Sequence, residues 1–236
     1  MMNILIVGGN GGIGFAMIKE CLTQYSDAQI HATYRRTKPQ FQHERVRWYQ
    51  VNVSHDDEVK VFSELFDDIN WIINCVGILH TRDKGPEKNL TALDSVFFQQ
   101  VMTTNTLPTL LLAKYFTPKL KKTDTPKFAV ISAKVGSISD NQLGGWYSYR
   151  ASKAALNMFI KTMSIEWQRI LKNGVVLALH PGTTDTPLSE PFQANVPQGK
   201  LFTPERVACD LIGLIASSTP QQSGSFLAYS GDRLPW

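Results

Sequence analysis

Two residues of the chain, Tyr149 and Lys153, stand four positions apart in a segment whose apolar spacing is typical of a helix. Side chains at this separation lie on one helical face, so a phenol and an ammonium group would be neighbours. A free tyrosine has a pKa of about 10, and a cation within ~5 Å favours the phenolate and lowers that pKa. The spacing therefore predicts a tyrosine tuned for acid/base catalysis, and an isolated Tyr/Lys pair on a solvated helix face is the alternative.

A second candidate site is the glycine-rich segment 8–14, which follows a short apolar run at residues 4–7 and precedes a helical pattern. This order predicts a strand that turns directly into a helix. The first amides of such a helix and the positive end of its dipole can bind a pyrophosphate. A turn without a ligand is the alternative. The glycine spacing itself fits three related patterns, namely Gly9/Gly11/Gly14, Gly8/Gly11/Gly14 and Gly8/Gly12/Gly14.

Strand-like and helical segments alternate along the whole length. The predicted strands are residues 4–7, 30–34, 46–51, 71–75, 128–132, 175–179 and 226–229. The predicted helices are residues 13–25, 57–66, 93–103 running into 107–120, 146–171 and 204–216. This alternation predicts one α/β domain over residues 1–236, a Rossmann-type doubly wound parallel sheet of about seven strands with helices on both faces. Ligands of such sheets bind beyond the carboxyl ends of the strands, and the polar and glycine residues of segments 8–14, 74–77, 132–136 and 181–186 all follow predicted strands.

Composition excludes several other classes of function. The 236 residues are 43% hydrophobic and carry a net charge of +4, with the basic residues scattered, so no nucleic-acid partner is expected. No run of eighteen apolar residues occurs, and the first apolar run is too short for a signal peptide, so we expect a cytoplasmic protein without membrane contact. The three cysteines and five histidines are dispersed, which predicts neither a disulfide framework nor a metal site.

With these motifs in order, the chain resembles the short-chain dehydrogenase/reductase family, in its compact single-domain form, over nearly its whole length. Residues 144–150 and the final Leu234-Pro235-Trp236 further resemble the C-factor-like branch, named for a cell-signalling protein. The motifs that carry the family resemblance are Gly8-x-x-x-Gly12-Ile13-Gly14, Asn74-Cys75-Val76-Gly77, Asn105, Tyr149-x-x-x-Lys153 and Pro181-Gly182-Thr183-Thr184-Asp185-Thr186.

The resemblance implies hydride transfer between a nicotinamide ring and a carbonyl carbon, with Tyr149 exchanging a proton with the oxygen. It implies that Lys153 lowers the pKa of Tyr149 and binds the nicotinamide ribose. It also implies that Asn105 holds a water that links Lys153 to solvent, although Asn105 could instead be a helix-kink residue near Pro108. The implied cofactor-binding residues are Gly8, Asn10, Gly12, Ile13, Gly14, Asn52, Val53, Asn74, Gly77, Tyr149, Lys153, Pro181, Gly182, Thr184 and Thr186.

One residue type typical of this family is displaced. The family places a serine after the fifth strand, three positions before a glycine, to hydrogen-bond the substrate oxygen; counting back from Gly136 reaches Ala133. Ser132 and Ser137 are the candidates to replace it, with Ser132 preferred for its place at the strand end. Strand alternation would turn Ser132 away from this direction unless the strand ends early.

The end of the second predicted strand indicates the cofactor. An acidic residue there would bind the ribose hydroxyls of NAD, but Tyr34 occupies the position and Arg35 and Arg36 follow it. A guanidinium group suits a phosphate, so we predict that NADP(H) is preferred, with Arg35 as its first phosphate ligand and NAD(H) not excluded. A solvated charge pair in a loop is the alternative.

The predicted function is an NADP(H)-dependent oxidoreductase that interconverts a small carbonyl compound and its alcohol. A non-catalytic protein that senses a nucleotide cofactor on the same scaffold is the alternative, and an epimerase or dehydratase of a longer branch fits one of the glycine spacings. By resemblance we expect a homodimer or homotetramer, and a mobile lid at residues 188–201.

Overall fold

The computed structural model describes residues 2–236. The strands are β1 (Met2–Val7), β2 (Ala28–Tyr34), β3 (Val46–Gln50), β4 (Trp71–Asn74), β5 (Lys127–Ile131), β6 (Val175–His180), β7 (Thr183–Thr184), β8 (Leu201–Phe202) and β9 (Ser225–Ala228). The helices are α1 (Gly12–Gln24), α2 (Asp56–Glu64), α3 (Ser95–Leu120), α4 (Tyr147–Ile170) and α5 (Pro204–Ser217). Seven strands form one parallel sheet in the order β3-β2-β1-β4-β5-β6-β9, which confirms the predicted α/β fold.

Both faces of this sheet are buried, as the apolar strands require. Successive side chains of a strand point to opposite faces, and β1 shows the division. Ile4 and Ile6 belong to a core that includes side chains of α1 and α5. Leu5 and Val7 belong to a second core, built with side chains of α2, α3 and α4. Two helical layers therefore enclose the sheet and hold its strand ends in register.

The strand order creates a crevice above the carboxyl end of β1. This strand pairs with β2 on one side and with β4 on the other. Strands β2 and β3 therefore extend the sheet in one direction from β1, and the strands from β4 onward extend it in the opposite direction. A crevice opens at such a switch point of a doubly wound sheet, and ligands bind there. The glycine-rich turn follows β1 and reaches this crevice directly.

Two features differ from the predicted elements. Helix α3 runs unbroken from Ser95 to Leu120 with Pro108 inside it, although two successive segments were predicted. Its N-terminus is capped by Asp94, whose carboxylate accepts a hydrogen bond from the amide of Phe97 at 2.8 Å. The two-residue strands β7 and β8, which pair in parallel, were not predicted because two residues show no sequence period. Between them lie residues 185–200, most of the predicted lid.

Within residues 2–236, no helix is long and apolar enough to cross a membrane. No group of three or more histidine, cysteine or acidic side chains in that range is placed to hold a metal ion.

Candidate active site

A cavity of about 500 Å³ lies at the carboxyl ends of β1, β4, β5 and β6. One wall comes from the glycine turn, a second from the segments after β4 and β5, and a third from the start of α4. The segment after β6 closes the remaining side. The residues that line it include Asn10, Gly12, Ile13, Gly14, Gly77, Ala133, Trp146, Tyr149, Lys153, Pro181, Gly182, Thr184, Thr186 and Phe192.

The glycine turn presents backbone amides to this cavity. Helix α1 begins at Gly12, and its first amides have no partner in a preceding turn of helix. Gly8 is not a lining residue. Its amide donates to Thr33 Oγ1 at 3.0 Å and its carbonyl accepts from the amide of Gly11 at 3.0 Å, so Gly8 shapes the turn. The contact of Gly8 with the cofactor stays a prediction.

The segment after β6 approaches the glycine turn closely. A Cβ added to Gly12 would lie 2.6 Å from Thr186 Cγ2, so a side chain at position 12 would collide with this segment. Thr184 is buried, and its Oγ1 has no hydrogen-bond partner within residues 2–236. A buried hydroxyl without a partner costs about 1–3 kcal/mol, so a ligand amide that bonded it would be stabilised. The free amides at the start of α1 could bind a diphosphate, and the Thr184 hydroxyl could bind a carboxamide. These two groups fit a nicotinamide dinucleotide.

Tyr149 and Lys153 lie on the same face of α4, as predicted from their spacing. Lys153 Nζ is 5.6 Å from the centroid of the Tyr149 ring and donates to the carbonyl of Ile131 at 3.0 Å. Both side chains are buried and line the cavity. The structure therefore places the phenol and the ammonium group together at the carboxyl end of β5.

Burial shifts the pKa values of this pair in directions that the spacing did not indicate. Desolvation raises the pKa of Tyr149 above its ordinary value of 10.0, and it lowers the pKa of Lys153 to about 8. The predicted lowering of the Tyr149 pKa by Lys153 is not found. The physical reason is that the desolvation free energy of a buried phenolate is larger than its attraction to an ammonium group at this distance.

Asn105 links three segments of the site. Its Nδ2 donates to the carbonyl of Ile78 and to Ser152 Oγ, each at 2.9 Å, and its Oδ1 accepts from the amide of Ile78 at 2.7 Å. Both amide hydrogens are therefore taken by protein groups. A Cβ added to Gly77 would lie 3.4 Å from both Asn105 Oδ1 and Lys153 Nζ, so the two groups border the same point. The predicted water link stays a prediction.

Neither candidate serine presents its hydroxyl to the cavity. Ser132 borders the cavity, but its Oγ is buried and donates to Asn157 Oδ1 at 2.6 Å. Ser137 is also buried and is not a lining residue; its Oγ accepts from the amide of Asp140 at 3.2 Å. The prediction that either serine contacts the substrate oxygen is corrected. β5 ends at Ile131, so strand alternation does not decide the direction of Ser132; the hydrogen bond to Asn157 holds its hydroxyl, and Ala133 lines the cavity at the next position.

Two predicted cofactor contacts have structural roles. Asn74 is buried; its Oδ1 accepts from the amide of Val76, and its Nδ2 donates to Thr109 Oγ1, each at 3.0 Å. Its amide group therefore shapes the loop that carries Gly77, and Gly77 itself lines the cavity. Val53 is buried in the core that faces α2, and its contact with the cofactor stays a prediction.

A separate polar pocket of about 480 Å³ lies where β2 and β3 end. Arg35, Arg36, Gln50, Asn52 and Glu58 line it. Glu58 Oε2 accepts from the amide of Asn52 at 2.7 Å, and Gln50 Nε2 donates to the carbonyl of Arg35 at 3.2 Å. Two arginines and one glutamate thus line this pocket, at the edge where the sequence predicted the adenosine end of the cofactor.

Sequence reasoning missed an aromatic wall of the cavity. The Trp146 ring lies 5.1 Å from the Phe192 ring and 6.2 Å from the Tyr149 ring, measured between centroids. His80 contacts Phe192 at 5.9 Å. These side chains come from three distant segments, so no local pattern could have grouped them. The one available signal was the Gly144-Gly145 pair before Trp146, which indicates an unusual turn at the start of α4.

Comparisons with known proteins agree with this geometry. A family model described as short chain dehydrogenase matches residues 2–197. A 1-hydroxy-2-glutathionyl-2-methyl-3-butene dehydrogenase from Rhodococcus sp. (strain AD45) is 28% identical over 253 aligned positions, and the match covers 100% of both chains. The C-signal protein of Myxococcus xanthus is 31% identical over 144 residues, 61% of this chain and 81% of that protein, which confirms the resemblance to the C-factor-like branch.

A solved structure, that of an NADPH-bound carbonyl reductase from chicken fatty liver, has the same fold. Its TM-score to this chain is 0.88 at 24% sequence identity, and the match covers 100% of this chain and 94% of that one.

Proposed function

Because the chain belongs to the short-chain dehydrogenase family and is thereby an oxidoreductase, we propose that it interconverts a small carbonyl compound and its alcohol with NADP(H). The observation that carries this proposal is the buried pair of Tyr149 and Lys153 in a cavity that the glycine turn also lines. One domain would then bind both the dinucleotide and the substrate.

When bound at this site, NADPH would supply the hydride for reduction of a carbonyl carbon, and the residues of the chain would provide the proton and the charge. The Tyr149 hydroxyl donates its proton to the carbonyl oxygen, and its raised pKa keeps that proton in place until transfer. Lys153, with a pKa of about 8, is mostly charged at neutral pH and stabilises the phenolate that forms. Asn105 fixes the loop beside Lys153 through its three hydrogen bonds.

The lining residues divide between the two ends of the dinucleotide. The amides of Gly12, Ile13 and Gly14 at the start of α1 would bind the diphosphate, with Asn10 beside them. On the nicotinamide side, Thr184 Oγ1 would form a hydrogen bond with the carboxamide, because this buried hydroxyl has no partner within residues 2–236. Gly77, Pro181, Gly182 and Thr186 complete this part of the cavity.

We attribute the preference for NADP(H) to Arg35, supported by Arg36 and Asn52 in the same polar pocket. A fixed positive charge there attracts a 2′-phosphate. Arg35→Ala should raise the Kd for NADPH at least tenfold and leave the Kd for NADH within twofold, as measured by fluorescence titration. Arg169→Ala, an exposed arginine on the last turn of α4, is the matched control. Equal loss of both dinucleotides in Arg35→Ala would contradict the assignment.

Two observations favour a second candidate, a protein that senses a dinucleotide without turning it over. Ala133 stands where the family has a serine, and neither Ser132 nor Ser137 directs its hydroxyl to the cavity. The retention of Tyr149, Lys153 and Asn105 in one site favours catalysis, because a sensor has no need of a proton donor.

Turnover distinguishes the two candidates. The wild-type protein is screened for NADPH oxidation with a panel of aldehydes, ketones and quinones, followed by absorbance. Tyr149→Phe, which keeps the ring and removes the proton donor, is the control. Turnover by the wild type that Tyr149→Phe lacks supports the reductase. Tight NADPH binding with no turnover across the panel supports the sensor.

We also propose that the protein forms a homo-oligomer through the outer faces of α3 and α4, which expose Val96, Met158 and Ile165. Light scattering of the purified protein measures its mass directly, and a monomer would contradict the proposal.

A further inference from the structure

Glu87 is a buried carboxylate that the proposed chemistry does not use. Its side chain is 3% exposed, and it comes from the loop between β4 and α3. The carboxylate accepts hydrogen bonds from the amide of Ser148, at 3.1 Å, and from the hydroxyl of Ser148. None of the ion pairs within residues 2–236 includes Glu87. Its partner is thus the first turn of α4, whose unpaired amides and dipole favour a negative charge.

The backbone of Glu87 forms a second contact with the residues at the start of α4. Its carbonyl accepts from the amide of Trp146 at 2.5 Å. A Cβ added to Gly145 would lie 3.4 Å from the carbonyl oxygen of Lys88 and 3.5 Å from that of Glu87, so the two segments pack backbone against backbone. Contacts over a sequence separation of about sixty residues therefore determine where α4 begins.

The turn that Glu87 holds is strained. Gly144, Gly145 and Trp146 have φ angles of 63°, 64° and 53°, three left-handed residues in succession. Glycine adopts this conformation freely, but Trp146 carries a Cβ and is the one non-glycine residue with positive φ among residues 2–236. Such a conformation persists only where surrounding contacts enforce it. The hydrogen bonds to Glu87 on either side of Tyr147 are those contacts.

The strained turn places Trp146 in the cavity. Its indole lines the cavity and contacts both the Tyr149 ring and the Phe192 ring, at 6.2 Å and 5.1 Å between centroids. Since Tyr149 follows Ser148 directly, the same clamp also sets the start of the helix turn that carries the proton donor.

We infer that Glu87 is a positioning residue for the carbonyl substrate: it holds Trp146 in its left-handed conformation so that the indole forms the substrate-side wall beside Tyr149. This inference rests on the proposed reductase function. It predicts a selective effect, because the proposed dinucleotide contacts lie on the segments after β1, β2, β3, β4 and β6 and not on this turn.

The test separates substrate from cofactor. Glu87→Ala should raise KM for the carbonyl substrate at least tenfold and change the Kd for NADPH less than twofold. Glu87→Gln keeps a side-chain oxygen to accept from the Ser148 amide, so its KM should return to within about threefold of the wild type. Trp146→Gly tolerates the left-handed turn but lacks the indole, and it should raise KM as Glu87→Ala does. Asp94→Ala removes the corresponding carboxylate cap of α3 and should leave KM within twofold.

A second measurement needs no turnover. Hydrogen exchange of the Ser148 amide, which loses its carboxylate acceptor, should become at least tenfold faster in Glu87→Ala and stay unchanged in Asp94→Ala. Unchanged exchange together with unchanged KM overturns the inference. A rise in the NADPH Kd as large as the rise in KM also overturns it, because it would show a general loss of structure; if Glu87→Ala does not fold, Glu87→Gln and Trp146→Gly decide. A wild type that turns over no substrate, with exchange accelerated in Glu87→Ala, counts against the reductase function and leaves the clamp supported.

Discussion

Lys153 Nζ donates to the carbonyl oxygen of Ile131 at 3.0 Å, at the carboxyl end of β5. This bond holds the ammonium group with a neutral acceptor, and no carboxylate within residues 2–236 forms an ion pair with it. Its charge is therefore buried without a counter-charge, which is why the pKa of Lys153 falls to about 8. The pKa of Lys153, the residue proposed to stabilise the phenolate, is thus close to physiological pH.

The pH dependence of carbonyl reduction follows from this value. Below a pH of about 8 Lys153 is charged, and above it the charge is lost while Tyr149 stays protonated. We expect kcat/KM for NADPH to fall as the pH rises through about 8, since kcat/KM reports the pKa values of the free enzyme. Steady-state rates from roughly pH 6 to pH 10 measure this.

Lys153→Arg is the control for this profile. A guanidinium group stays charged over the whole range, so the fall near pH 8 should disappear even if the absolute rate is lower. The same fall in Lys153→Arg would show that another group titrates there.

Ser132→Ala tests the role that the structure gives this serine. The substitution removes the hydrogen bond that Asn157 Oδ1 accepts from Ser132. Since Asn157 Nδ2 has no partner within residues 2–236, the buried side-chain amide would then form no hydrogen bond. We expect the free energy of unfolding to fall by about 1–3 kcal/mol, as measured by urea denaturation. The kcat of the folded variant should stay within twofold. A kcat at least tenfold lower at unchanged stability would return Ser132 to the substrate site.

Ala133→Ser tests the converse. Ala133 lines the cavity and packs against the cluster that contains Tyr149, so a hydroxyl there would face the carbonyl oxygen. A well-placed donor of this kind is worth roughly a hundred- to a thousandfold in kcat. Because the surrounding residues have not adjusted to it, we expect a gain of at least about threefold. Ser137→Ala is the matched control and should leave kcat unchanged, and no gain in Ala133→Ser would mean that another group already bonds the oxygen.

These cases show what could be predicted from the sequence. The parallel sheet and the glycine turn were predictable because short apolar strands and helical periodicity are local patterns. The direction of Ser132 depends on the point where β5 ends, and a shift of one residue reverses it. The pKa of Tyr149 depends on burial, which spacing does not report. Glu87 could not be placed at α4 because its contacts span about sixty residues of sequence.

Lys127 stabilises the end of α5. Its Nζ is buried and donates to the carbonyls of Ile215 at 2.6 Å, Ala216 at 2.7 Å and Ser218 at 3.1 Å. These carbonyls lie in or just after the last turn of α5, where backbone partners are scarce; that of Ile215 also accepts from the amide of Ser218 at 3.3 Å. Lys127→Met keeps the length of the side chain and removes these three bonds and a longer one to Ser218 Oγ at 3.4 Å, so we expect the free energy of unfolding to fall by about 3 kcal/mol. The exposed Lys121→Met should change it by less than about 0.5 kcal/mol, and equal effects would contradict the capping role.

His31 should make the fold sensitive to acid. Its Nδ1 lies 3.1 Å from the hydroxyl of Tyr49 and its ring packs edge-on against Phe66 at 4.9 Å. Burial, together with the charge of Arg47, lowers the pKa of His31 from 6.5 to about 4. The unfolded chain therefore takes up a proton below a pH of about 6.5 that the folded protein accepts only near pH 4. The contribution of His31 to the free energy of unfolding is therefore fully present above a pH of about 6.5 and is lost as the pH falls toward 4. The loss amounts to roughly 3 kcal/mol.

His31→Gln removes this titration and keeps a polar side chain for the Tyr49 hydroxyl. We expect the difference in unfolding free energy between about pH 7 and about pH 4.5 to shrink by about 2 kcal/mol or more relative to the wild type, as measured by urea denaturation. His43→Gln, at an exposed position, should leave the difference unchanged. If His31→Gln and the wild type lose the same stability over this range, the acid sensitivity comes from other groups. His180 is then the next to test, because burial lowers its pKa to about 4 as well.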